Sequence, residues 1–219
     1  MPRLLFEKKG NAVWISHLDL MRLFQRAFKR AGLALTHTHG FNPRPSVSIA
    51  LPLSVGVESS CELLEFALDG QNITNEEICD RLNAAMIEGV HILEVYDGGR
   101  KYGELSLLAC KVLLRYERGI KSGTVEAISI LFSKDHLILP KKTKSGIQDQ
   151  DIIPMIKEIS VAEIDGNTIM IKALICCQNP TLNPAQLPLA ISTYLPELAP
   201  DSCEYARCEI YDTKSVIFR

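Results

Sequence analysis

The sequence predicts an α+β protein made of two tandem ferredoxin-like units, each β-α-β-β-α-β with an antiparallel sheet. Strand-like and helix-like apolar patterns alternate in that order along the first half and return in loosely the same order along the second. Gly98, Gly99 and Gly103 mark a linker between the two runs. A length of 219 residues suits two domains of about 100 residues each better than one. The expected boundaries are 1–103, carrying a basic helix and a Gly-Phe-Asn-Pro-Arg-Pro loop, and 104–219.

Residues 3–8 read as a strand. Ser16 has the form of a helix N-cap, with Asp19 three residues on in place of the usual Glu, and Ile15 and Leu20 placed as a hydrophobic staple. That helix is expected to run to about Ala31 and to stop at Gly32. Met21, Phe24, Ala27, Phe28 and Ala31 recur at helical spacing as its apolar stripe, with Arg22, Arg26, Lys29 and Arg30 on the opposite side. A turn-rich stretch, 36–45, follows. Val47, Ile49, Leu51 and Leu53 then alternate with Ser48, Ala50 and Pro52, which predicts a strand whose proline sits at an edge or near its end. Strand 61–68, helix 75–86 and strand 90–96 complete the first unit. The second is expected to contain strand 108–117, helix 122–133, strand 136–140, a charged loop, an apolar segment 152–160, strand 168–177, helix 184–195 and strand 203–211. Asn183 and Pro184 supply an N-cap and a first-turn proline for the last helix.

Composition narrows the function classes. No run of about 18 apolar residues is present, so no transmembrane helix is expected, and the first residues are amphipathic rather than signal-like. The expected compartment is the cytoplasm, with no membrane partner. Seven cysteines, an odd number without a C-x-x-C pair, argue against a disulfide framework, a four-cysteine zinc site and a three-cysteine iron–sulfur motif. No cofactor is therefore expected. The net charge of −2 hides an uneven distribution: residues 1–50 carry eight basic and two acidic side chains, net +6, and 51–106 are net −8. Residues 107–150 are net +4 and 151–219 net −4. Such asymmetry points to partners, although lumpy surfaces without a partner have the same signature.

Four groups of residues are candidates for chemistry. The helix face of Arg22, Arg26, Lys29 and Arg30 has only Asp19 as an acidic neighbour, which suits a phosphate backbone or an acidic protein as well as plain solvent. In Gly40-Phe41-Asn42-Pro43-Arg44-Pro45 the two prolines stiffen the backbone around Arg44, so little ordering entropy opposes binding there. Phe41 either anchors that loop in the core or stacks on a base or a cofactor ring. His37 and His39, joined by His17 or Asp19, form a candidate metal set, with a helix-end or core role the alternative for His17. Lys141, Lys142 and Lys144 lie in a Lys-Lys-Thr-Lys-Ser-Gly stretch that is not a P-loop, and that touches phosphates or serves solubility. Nothing in the spacing places a catalytic triad, so an enzyme is not the favoured expectation.

Trp14 through Leu33 (WISHLDLMRLFQRAFKRAGL), followed by GFNPRP and ALPLSVG, resembles the radical SAM-linked protein family, bacterial proteins of unknown function found beside or fused to radical SAM enzymes. The similarity is dense over residues 3–66 and looser beyond, where Lys141–Gly146 and Asp151-Ile152 resemble its second-half motif. By this resemblance Ser16, His17, Asp19, Arg22, Arg26, Gly40, Phe41, Pro43 and Pro45 match the family pattern. It implies a radical SAM enzyme as partner and a setting in RNA modification or ribosome-related metabolism, with which tRNA or rRNA as a partner is compatible. The element order also looks like that of repeat-associated RNA-processing proteins of CRISPR systems, but their glycine-rich C-terminal loop is missing and their nuclease activity is not carried over. Three readings follow: a non-catalytic RNA-binding accessory, a docking module for the radical SAM enzyme, and a metal-dependent or small-molecule enzyme using His17, Asp19, His37 and His39.

Overall fold

A computed structural model describes all residues except Gly40, Gln71, Lys144 and Ser145, together with the side chains of all these but Lys142 and Thr143. The protein is α+β, with antiparallel sheets and four α-helices among the described residues. It divides into two compact units, Met1–Glu104 with Phe218–Arg219, and Leu105–Ile217. The last two residues, expected in the second unit, thus belong to the first.

In the first unit β1 (Arg3–Lys8) leads through a 3-10 turn, Gly10–Trp14, into α1 (His17–Arg30). β2 (Val47–Ile49), β3 (Val57–Phe66), α2 (Asn75–Ala85) and β4 (Val90–Tyr96) follow. The strands lie in the order β4-β1-β3-β2, every neighbour antiparallel. The strand expected from Val47 to Leu53 is only three residues long. Pro52 donates no ladder bond, and pairing ends just after Ile49 with Ala50 N–H donating to the Leu63 carbonyl.

The core of this unit joins Leu4 and Phe6 of β1 and Leu64 and Phe66 of β3 to Phe24 and Phe28 of α1 and Ile78 and Leu82 of α2. Phe6 meets Phe24 edge-on at 4.8 Å, and Phe28 meets Phe66 at 5.0 Å, separations at which aromatic pairs attract. The apolar stripe of α1 is buried as expected at Phe24, Ala27 and Phe28, but Leu20 and Leu23 are buried with them, while Met21 and Ala31 are only half-buried. Both ends of α1 are capped by the residues that the sequence offers. Asp19 N–H donates to Ser16 Oγ. At the other end Gly32 (φ +69°) takes the left-handed conformation, Leu33 N–H reaches back to Phe28 O and Gly32 N–H to Lys29 O. That is a Schellman ending, and Leu33 is buried beneath it.

The second unit runs β5 (Leu105–Arg115), α3 (Thr124–Phe132), β6 (Ile138–Thr143), β7 (Gly146–Asp151), β8 (Ile156–Asp165), β9 (Thr168–Cys176), α4 (Gln186–Tyr194) and β10 (Ser202–Asp212). Its main sheet has the order β10-β5-β9-β8, again antiparallel throughout. The stretch expected as a strand and a charged loop is instead a separate two-stranded hairpin, β6–β7. Its base is held by His136 Nδ1 against Asp151 Oδ2 at 2.6 Å, and by the Tyr194 hydroxyl, which accepts from Ile138 N–H and donates to Ile138 O. The helical pattern of 184–195 starts later than expected, at Gln186, so its N-cap is Ala185, without a side-chain bond, and not Asn183. Asn183 instead ties the preceding turn, its Oδ1 accepting from Ala185 N–H while Gln186 Oε1 accepts from Asn183 N–H.

Candidate functional site

The approach to α1 is fixed from below by a buried cation. Lys8, at the end of β1, is fully buried, and its ammonium donates to the carbonyls of Ile15 at 2.9 Å and Val13 at 3.2 Å. These carbonyls leave the 3-10 turn without helical partners, so the lysine holds the chain where Ser16 begins the helix. Nothing in the sequence pattern singled out Lys8; a lysine ending an apolar strand reads as solvent-facing. Ser16 Oγ also donates to Asp19 Oδ2 at 2.7 Å, and Arg22 donates to Asp19 Oδ1 at 2.9 Å. The Ser16 hydroxyl first, and then Arg22, hold the Asp19 carboxyl below its ordinary range.

The basic face of α1 is therefore narrower than its sequence suggests. Arg22 is paired with Asp19, and Arg30 donates through Nη2 to the carbonyl of Ala85 at the end of α2. Arg26 and Lys29 remain exposed and make no ion pair among the described residues.

Residues 33–46 fold back on themselves as an irregular hairpin. Thr38 N–H donates to Arg44 O, Arg44 N–H to Thr38 Oγ1, and Ser46 N–H to Thr36 O, around a bridge between His37 and Pro45. The base of this excursion is tied to the end of β3 by Thr36 N–H to Ala67 O and by the Leu35–Leu68 bridge. Phe41 stands at the tip with its ring wholly in solvent. It is not the buried anchor that one reading of the sequence offered: the prolines and the Thr38–Arg44 bonds shape the tip without it. Asn42, Pro43 and Arg44 are exposed beside it, and Pro45 is half-buried. Gly40 lies outside the described residues.

Helix and hairpin meet at a cleft of about 550 Å³ whose walls include Gln25 and Lys29 of α1, Gly32–Leu35, His37 and Pro45. Lys29 and Pro45 are thus brought together, and Arg44 precedes Pro45 at the rim. Arg22 and Arg26 lie earlier on the helix and do not line this cleft. His37 lines it, whereas His39 does not. No group of three His, Cys, Asp or Glu able to hold a metal exists among the described residues, so His17, Asp19, His37 and His39 do not assemble as that reading required. His17 is half-buried, and its Nδ1 has no hydrogen-bond partner among the described residues. Of the lysines in the second unit, Lys141 reaches the carbonyl of Thr181 at 3.3 Å; Lys142 lies in β6 opposite Ile147, and Lys144 is outside the described residues.

No described helix is long and apolar enough to cross a membrane. No curated protein matches the chain. Among solved structures it is similar to a chain of a Cbf5–Nop10–Gar1 complex, with 10% identity, a TM-score of 0.54, and 95% of this chain against 48% of that one. A chain of an H/ACA RNP bound to a substrate RNA containing 2′-deoxyuridine matches at 8% identity and a TM-score of 0.42, over 91% and 53%. A protein of unknown function from Galdieria sulphuraria matches at 14% identity and a TM-score of 0.25, over 94% and 96%. The chain spans about half the length of the first two. At such identities the likeness is one of fold, and only the first is close enough to count as such. The family described as an uncharacterized protein conserved in bacteria, DUF2344, matches residues 2–184, and the chain belongs to that family.

Proposed function

We propose that this protein is a non-catalytic RNA-binding accessory of a radical SAM enzyme, and that it takes tRNA or rRNA on the surface formed by α1 and the 36–45 hairpin. The observation that carries the reading is Phe41, an aromatic side chain held wholly in solvent on a proline-braced tip beside the exposed Arg44. A ring so placed gains nothing for the fold, whereas base–aromatic stacking contributes about 1–3 kcal/mol per base. Arg26 and Lys29, unpaired in ions on the neighbouring helix, supply phosphate contacts, and Arg22 and Arg30 do so after giving up their internal partners. Support for the radical SAM connection is the resemblance over residues 3–66, and it stands apart from the electrostatic argument. The order of strands in each unit, with the fourth beside the first and the third between first and second, supports reading both as ferredoxin-like, divided near 103.

The test is binding of tRNA and rRNA fragments by the purified protein across a salt series. Affinity should fall steeply with salt, and Arg26→Glu/Lys29→Glu should weaken it at every salt concentration. Binding that ignores both changes would remove this surface from consideration.

A second reading, docking on the radical SAM enzyme without nucleic acid, is favoured by the exposure of Trp14 and Leu18 at the start of α1, since exposed aromatic and aliphatic side chains are typical protein-interface anchors. Co-purification that survives nuclease treatment and is lost in Trp14→Ala/Leu18→Ala would select it.

A further inference from the structure

One row of residues crosses the main sheet of the second unit: Ser160 on β8, Lys172 on β9, Lys111 on β5 and Ala206 on β10, each the direct cross-strand partner of the next. The two lysines therefore face each other on the middle strands, with side chains on the same side of the sheet. Both are exposed, and neither makes an ion pair among the described residues. Directly opposed side chains lie with Cβ atoms about 5 Å apart, and like charges at that position are destabilising. A sheet that carries such a pair without a compensating acid stores repulsion that a bound anion relieves.

The surroundings sharpen the chemistry. The rows on either side place Ala109 opposite Leu174 and Leu113 opposite Met170, all half-buried. Carboxylates stand only on the flanking strands β8 and β10: Glu158 and Glu209 end one of these rows and Glu204 the other, where it is paired with Arg115. Glu158 is diagonal to Lys172, within reach of a long side chain, yet the two make no ion pair among the described residues. Lys111 and Lys172 line a cleft of about 560 Å³ with Glu158, Ser160, Cys208 and Tyr211. Burial raises the Cys208 thiol, and both lysines pull it back down, so their fields converge in the cleft.

We propose that this row is a phosphate-binding site for single-stranded RNA, separate from the first-unit surface and not dependent on it. The lysine pair takes the phosphodiester backbone. The half-buried Leu113, Met170 and Leu174 beside it take the flat faces of bases, with Tyr211 at one end of the cleft. A duplex offers phosphates but keeps its base faces stacked inside, leaving these apolar side chains uncovered.

The experiment uses the full chain and a fluorescent single-stranded RNA of about a dozen nucleotides, titrated across a salt series, with an equivalent duplex and inorganic pyrophosphate as competitors. Lys111→Glu/Lys172→Glu should weaken binding by about tenfold or more and reduce the salt slope by about 1.4, the loss of two single-strand phosphate contacts. Lys172→Glu alone sets a carboxylate opposite Lys111, so its melting temperature should rise while its RNA affinity falls. That opposite movement separates a binding role from a merely structural one. Affinity and slope unchanged in the double variant would overturn the site, as would a duplex or free pyrophosphate that competes as well as the single strand, or a wild-type protein that binds no RNA. If the lysine variant loses binding while Arg26→Glu/Lys29→Glu does not, the sheet site stands and the first-unit surface falls; the reverse result rejects the sheet site alone.

Discussion

The ammonium of Lys8 lies 2.9 Å from the carbonyl oxygen of Ile15, directly before the N-cap of α1. A fully buried lysine is costly unless its charge meets oriented dipoles, and here the carbonyls at the end of the 3-10 turn provide them. The relationship ties β1 to the helix that carries the candidate interface. Lys8→Met keeps the length of the side chain and removes its donors, taking from Ile15 O its bond to the ammonium, while Val13 O keeps Gly56 N–H at 2.9 Å. Urea unfolding should show a loss of about 2–4 kcal/mol. A change below about 0.5 kcal/mol would mean that solvent reaches these carbonyls freely.

Gly99 adopts φ +137°, and a Cβ there would stand 2.6 Å from the Arg3 guanidinium. Arg3 is itself buried, paired with Glu65, bonded to the Arg100 carbonyl at 2.8 Å and stacked over Tyr102 at 4.5 Å. It has no room to yield. Gly99→Ala should therefore destabilise the protein by about 2–4 kcal/mol, from backbone strain and a displaced ion pair together. Gly98→Ala meets open space at the same kind of φ and should cost only the backbone part, so thermal melts of the two variants separate the contributions.

The β6–β7 hairpin should respond to pH in two directions. The Asp151 carboxylate raises the His136 pKa, chiefly by accepting its hydrogen bond. That stabilisation is complete below the ordinary histidine value of about 6.5 and is lost as pH rises through the raised folded value. Asp151 is lowered, first by His136 and then by Leu137 N–H, so its contribution is present above about pH 4 and is lost as pH falls through the depressed folded value. Protease nicking of the hairpin should be slowest between these limits and should quicken toward pH 8. His136→Gln should abolish the alkaline change; a flat profile in the wild type would refute the pairing in solution.

Phe41→Ala should leave the melting temperature unchanged, because the ring buries nothing. RNA affinity should fall by about fivefold or more, the lower end of what a stacked base contributes. A fall in melting temperature would show that the ring packs in solution, and an unchanged affinity would remove it from the interface.

Much of this was legible in the residues. Ser16 and Gly32 delimit α1 because a hydroxyl N-cap and a left-handed C-terminal glycine act through covalently near neighbours. The spacing of Phe24, Ala27 and Phe28 marks its buried face for the same reason, and the order of elements in the first unit follows from apolar periods. Residues 141–143 and 146–151 were misread as a loop because a short exposed hairpin buries too little to leave an alternating apolar pattern.

Only the tertiary structure decided which charges are spent. Arg22 meets Asp19 three residues back, a local pair, but Arg30 looks equivalent to Arg26 and Lys29 on a helical wheel and yet meets a carbonyl of α2. Lys111 and Lys172 are 61 positions apart and become neighbours through the register of β5 and β9. Local rules reach about four residues along a helix; pairing between strands is a property of the whole sheet. The sequence by itself thus determined the elements and their caps, and the fold determined which cations remain available to a partner.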